Sequence, residues 1–126
     1  GLIFTALAFC TICLSEANAA TATVKCEVRT ARSKISVDGR GYGSAFYRAR
    51  VQSGTGVVWA KAFKRPINGQ LEFDFDSDRG DILEGATPLA RNFIKNRAVN
   101  GRIYSYNPTT RVYTLRAMVG GVCSVK

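Results

Sequence analysis

The chain has 126 residues, a length that suits one domain, and its 46% hydrophobic and 21% charged residues are those of an ordinary globular protein. It contains no histidine, which excludes Ser-His and Cys-His nucleophile systems and histidine-based zinc sites. Eighteen basic residues face nine acidic ones, and the net charge of +9 favours anionic partners.

Residues 1–19 read as a cleaved signal peptide. LIFTALAFCTICL is an apolar run of the length of a signal core, short of the roughly 18 residues that span a bilayer. Ala17-Asn18-Ala19 supplies the small-x-small pattern that precedes a signal-peptidase cut. The expected mature domain is residues 20–126, with a periplasmic or secreted location. Cys10 and Cys13 leave with the leader, and Cys26 and Cys123 remain. An even pair in an oxidising compartment predicts one disulfide, joining the first strand to the last. Eighteen basic and eight acidic residues then give the mature chain +10.

From there the periodicity is two. Val24, Cys26 and Val28 alternate with Lys25, Glu27 and Arg29, and Ile35 and Val37 make a short second strand. Asp38 to Gly43 is a glycine-rich turn; its GRGYG segment holds an aromatic and an arginine but reads as a solvated loop. SAFYRARVQ puts Tyr47, Ala49 and Val51 on one face and Arg48, Arg50 and Gln52 on the other; the Ser53–Gly56 reversal then leads into VVWAKAF. Pro66-Ile67-Asn68-Gly69 is a further turn, with Asn-Gly favouring positive backbone angles. Leu71, Phe73 and Phe75 then point inward, and Glu72, Asp74 and Asp76 outward. Thr87 before Pro88 resembles a helix N-cap, so a short helix or 3₁₀ turn is expected within residues 86–98. A final hairpin turns at Asn107-Pro108-Thr109-Thr110, with Tyr113, Leu115, Ala117, Val119 and Cys123 on one inner face.

Six to seven short strands at such spacing predict an all-β fold, a small antiparallel β-sandwich with one short helical or 3₁₀ crossing segment and a single disulfide. In outline it is similar to immunoglobulin-like domains, but the Cys–Trp–Cys spacing of that family is missing, because the two cysteines sit at opposite ends of the mature chain around Trp59.

Two clusters bear on function. Six of the eight mature acids crowd into residues 72–84. Asp74, Asp76 and Asp78 have the spacing of the first three ligands of an EF-hand loop, but Arg79 stands where glycine is needed and Gly85 where the bidentate glutamate belongs. A looser calcium site from Asp76, Asp78, Asp81 and Glu84 is the metal candidate, weighed against a solvated strand face that ends in a turn at residues 77–80 and against a patch neutralised by the protein's own arginines, across a sheet or at a neighbouring subunit. No other cofactor is expected. The second cluster is Arg102, Tyr104 and Tyr106, which share a face opposite Ile103. Outward, they would stack on a sugar ring or receive a partner protein. The favoured alternative packs them beneath residues 86–98.

The leading expectation is an exported, non-catalytic binding or structural module. Its alternatives are a calcium-dependent binding module and a basic surface protein that holds anionic polymers.

Overall fold

Period-two burial builds both layers of the structure, a computed structural model that describes residues 20–126; the predicted leader lies outside the described residues. In chain order the strands are β1 (Thr21–Arg29), β2 (Arg32–Arg40), β3 (Phe46–Ser53), β4 (Gly56–Trp59) and β5 (Leu71–Asp76). Helix α1 (Arg79–Leu83) follows, then β6 (Thr87–Pro88), β7 (Ala98–Asn107), β8 (Val112–Val122) and β9 (Ser124–Val125). One sheet has five strands in the order β9-β1-β2-β5-β6, and the other has four in the order β4-β3-β7-β8. The chain is an all-β sandwich, as its alternation predicts. The strands beyond the predicted six or seven are the two-residue β6 and β9, too short to leave a periodic signal.

Ile35, Val37, Phe73 and Phe75 of the five-stranded sheet share one core with Ala49, Val51, Val99 and Ile103 of the four-stranded sheet. Asn68 and Gly69 both take positive φ, at 53° and 77°, and Ile67 and Gln70 exchange two backbone hydrogen bonds of 3.0 Å across them. This two-residue turn matches the twist of its flanking segments and delivers Leu71 to the interior. Cys26 and Cys123 form the predicted disulfide, with Cα atoms 4.6 Å apart across 97 residues of sequence, and both are buried. Immediately afterwards β9 pairs in parallel with β1, Ser124 opposite Glu27.

Three local expectations need correction. The helix is α1, one loop upstream of residues 86–98, because Asp78 rather than Thr87 acts as the N-cap: its side chain accepts from the Asp81 amide at 3.3 Å. The Thr87 hydroxyl instead accepts the Lys61 amide at 2.9 Å, while Thr87 and Pro88 extend alongside β5. Residues 86–98 hold two turns, Phe93 N–H to Ala90 carbonyl at 3.1 Å and Ala98 N–H to Lys95 carbonyl at 3.0 Å, and send Leu89 and Phe93 into the core.

Tyr42 is the second correction. It is not a solvated loop residue but is buried, packed edge-on to Tyr47 at 5.1 Å between ring centroids. Its ring lies over Gly39, where a Cβ would approach it to 2.5 Å, so only glycine fits. Its hydroxyl is the one buried side-chain oxygen or nitrogen among the described residues without a hydrogen-bond partner. Burial, with a smaller contribution from Tyr47, pushes this phenol up to about 12.

The third lies in β8. A register shift at Ile103/Tyr104 leaves Arg116 as an extra residue between Leu115 and Ala117. Tyr113 and Leu115 therefore lie opposite Tyr106 and Tyr104 on the outer face, while Ala117 lies opposite the buried Ile103 on the inner one.

Candidate functional site: the outer face of the four-stranded sheet

The acidic segment folds around a cation of its own. Asp76 ends β5 with the outward parity expected of it, yet it is 1% exposed rather than solvated. Arg32, at the start of the neighbouring β2, covers it. Nε and Nη2 of Arg32 donate to the two Asp76 oxygens at 3.0 and 2.8 Å, and Nη2 donates also to Asp81 at 2.7 Å. The Asp78 amide adds a third donor to Asp76 at 2.9 Å. Burial pushes the Asp76 carboxyl up, but the Arg32 hydrogen bonds and the other donors outweigh it and hold the group down at about 2. Asp81 moves the other way, raised above the ordinary carboxylate range chiefly by its contact with Asp76. Asp78 caps α1, and Glu84 ends it. Among the described residues no three acidic or thiol side chains gather around a common centre. The four carboxylates of the calcium candidate are thus placed as a brace and a helix cap, with Arg32 on the two that come closest together.

On the other sheet, β3, β7 and the segment after β4 bring rings and guanidinium groups together. The register sets Arg50 between Trp59 and Arg102, Arg48 beside Tyr104, and Phe46 beside Tyr106. The segment beyond β4 continues along β3, with Ala60 N–H bonded to the Ala49 carbonyl and Lys64 and Tyr47 exchanging bonds of 2.8 and 2.9 Å. That path places Phe63 over the same face. Five rings form a contiguous surface cluster: Trp59–Tyr104 at 5.0 Å, Trp59–Tyr113 at 5.3 Å, Phe63–Tyr106 at 4.7 Å and Tyr106–Tyr113 at 4.8 Å between centroids. Arg102, Tyr104 and Tyr106 do share an outer face. Residues 86–98 do not cover it, because Leu89 and Phe93 go between the sheets instead.

The arginines here are held by rings and hydroxyls. The Arg48 guanidinium lies 5.5 Å from the Trp59 centroid and 5.4 Å from that of Phe63, and that of Arg50 lies 5.8 Å from Trp59. Arg48 donates to the Tyr113 hydroxyl at 3.2 Å and to the Ala60 carbonyl at 2.6 Å. Arg50 and Arg102 both donate to the Tyr104 hydroxyl, at 3.4 and 3.3 Å. Burial pushes the Tyr104 phenol up, but these two cations outweigh it and leave it below its ordinary value.

Charge is segregated between the layers. None of the four strands of this sheet contains an acidic residue, and all eight described acids belong to the five-stranded sheet or to α1 and its flanks. Every ion pair among the described residues lies there too, on Arg29, Arg32 and Lys34. Arg48, Arg50 and Arg102 therefore have no carboxylate partner among the described residues. A concavity of about 800 Å³ opens elsewhere, between β1 and the 64–72 segment; Lys25, Arg40 and Lys64 line it together with Asp38 and Glu72. Its charges are mixed, and it lacks the convergence seen on the aromatic face.

Sequence parity identified three of these residues. Arg48 and Arg50 also carried the outward signal, in the RAR alternation of β3. Trp59 and Phe63 gave none, because nothing local says that the chain after β4 keeps following β3. Tyr113 was misassigned by the bulge. Among the described residues no helix is long and apolar enough to cross a membrane. Comparison of this chain with protein families, with curated proteins and with solved structures found no match.

Proposed function

We propose that the protein is an exported, non-catalytic binding module that presents the outer face of its four-stranded sheet to an anionic partner. The observation that carries this reading is the charge segregation: three arginines on acid-free strands, Arg48 and Arg50 over surface rings and Arg102 on the Tyr104 hydroxyl, without a carboxylate partner among the described residues. An anion arriving there completes hydrogen bonds that the fold leaves open, and charge-assisted bonds are the strong ones. Export is supported by the Cys26–Cys123 disulfide, since such bonds persist in oxidising compartments. The non-catalytic part rests on the lack of histidine and on an arginine face that is broad rather than enclosed.

The test is a charge-matched comparison. One variant carries Arg48→Gln, Arg50→Gln and Arg102→Gln, and a control carries Lys25→Gln, Arg29→Gln and Arg40→Gln on the five-stranded sheet. Affinity for dextran sulfate is measured at low and moderate salt. The face variant should lose about tenfold or more and show a shallower salt dependence, while the control loses only the shared long-range attraction. Equal losses in the two variants would contradict the reading.

A further inference from the structure

Resting on that reading, we propose that the anionic partner is a lipid bilayer surface, against which the edge strand β8 lays its exposed apolar side chains. Every residue from Asn107 to Arg116 is exposed, so the end of this hairpin projects beyond the sandwich. Its turn, residues 107–111, is polar, and the apolar side chains follow it along β8. Val112 is 54% exposed, Tyr113 37% and Leu115 47%, and further along β8 Met118 is 57% exposed; Phe63, at 40%, lies beside Tyr113. β8 is also the edge of its sheet, with no strand on its far side. Phe63, Tyr113, Leu115 and Met118 make an apolar fringe on the acid-free arginine face, while Val112, opposite Asn107, has the parity of the other face.

The composition of that fringe selects among anionic partners. A soluble polyanion rewards cations and flat rings and offers nothing to bury Leu115 and Met118. A bilayer surface rewards all three kinds of group at once: aliphatic side chains at the acyl boundary, Trp and Tyr at the headgroup level, and arginines on the phosphates. Charge complementarity points the same way, because the four strands that carry the fringe contain no acid to repel an anionic headgroup. A second copy of the chain meets the opposite situation. Face to face, it sets arginine against arginine, between molecules that each carry excess positive charge.

The experiment uses oxidised protein with phosphatidylcholine vesicles, with and without phosphatidylglycerol, read by co-sedimentation and by the emission of Trp59, the single tryptophan of the chain. The expected result is binding to the anionic vesicles only, with a blue shift of Trp59. In the double variant Leu115→Ser/Met118→Ser, vesicle affinity should fall by about tenfold or more while dextran sulfate affinity is unchanged. A cooperative thermal melt followed by circular dichroism shows that the variant is folded. Vesicle binding unaffected by the double variant would overturn the proposal. So would binding of dextran sulfate but not of anionic vesicles, and that result leaves the arginine-face reading standing. If the Arg48/Arg50/Arg102 variant keeps both affinities, the proposal and the reading beneath it fall together. Self-association in sedimentation velocity, lost in the double variant without any vesicle binding, would assign the fringe to a second copy and overturn the lipid proposal.

Discussion

Arg32 grips Asp76 through two parallel hydrogen bonds of 3.0 and 2.8 Å, and the carboxylate between them is 1% exposed. The pair bridges β2 and β5 and ties in α1 through Asp81. Removing Arg32 leaves the Asp76 charge buried without its cation, so Arg32→Ala should cost about 3–5 kcal/mol in urea unfolding, whereas Asp76→Ala should cost less because Arg32 is partly exposed and keeps its bond to Asp81. Replacing both, as Arg32→Met with Asp76→Leu, should cost much less, because no charge is then stranded. With Arg32 already on these carboxylates, calcium or EGTA should leave the melting temperature unchanged; a clear rise with calcium would reinstate the metal reading.

The same pair sets the acid limit of the fold. Asp76 titrates at about 2 in the folded protein, below its ordinary value of 3.8. A depressed carboxylate contributes stability above its unfolded pKa and loses it as pH falls through the folded one. The contribution, ~2 kcal/mol, should therefore disappear between about pH 4 and pH 2. Asp81 shifts upward and offsets part of the loss at the upper end of that window. Unfolding free energies of wild type and Asp76→Asn across this range should converge at the acid end.

The disulfide closes a loop of 97 residues, and its loss should remove about 4–5 kcal/mol in the chain-entropy model. Oxidised protein should resist alkylation in denaturant until reduced, and Cys26→Ser with Cys123→Ser should unfold at markedly lower urea. Uptake of two alkyl groups without prior reduction would show that the bond is absent.

Tyr42 and Gly39 make a paired prediction. Gly39→Ala drives a Cβ into the Tyr42 ring, an overpacking that typically costs about 1–3 kcal/mol. Tyr42→Phe should be neutral or stabilising by about 1 kcal/mol, because it removes a buried hydroxyl that has no partner. Thermal unfolding of the two variants should move in opposite directions or, for the phenylalanine, not at all.

The legible parts of this molecule were those written in period two. Alternation placed Leu71, Phe73 and Phe75 inside, and it placed both cysteines on inner faces before their bond was seen. It failed where one residue interrupts the count: Arg116 turns Tyr113 and Leu115 outward, and a bulge has no signature in an otherwise regular strand. It failed also where a distant side chain decides exposure. Asp76 has the parity of a surface residue, and only Arg32, 44 positions away, buries it. The candidate face was half visible for a related reason. Arg102, Tyr104 and Tyr106 are neighbours in sequence, whereas Trp59, Phe63 and Arg48 join them only through strand pairing.

Trp59 stands in the middle of that face, against Tyr104, Tyr113 and Arg48, and is the chain's own reporter. The most direct measurement is its emission during titration with dextran sulfate, followed alongside the fraction bound by sedimentation. Our account predicts that the emission changes in step with binding and reverses as salt displaces the polymer. Saturable binding that leaves Trp59 emission unmoved would place the contact elsewhere on the protein and contradict it.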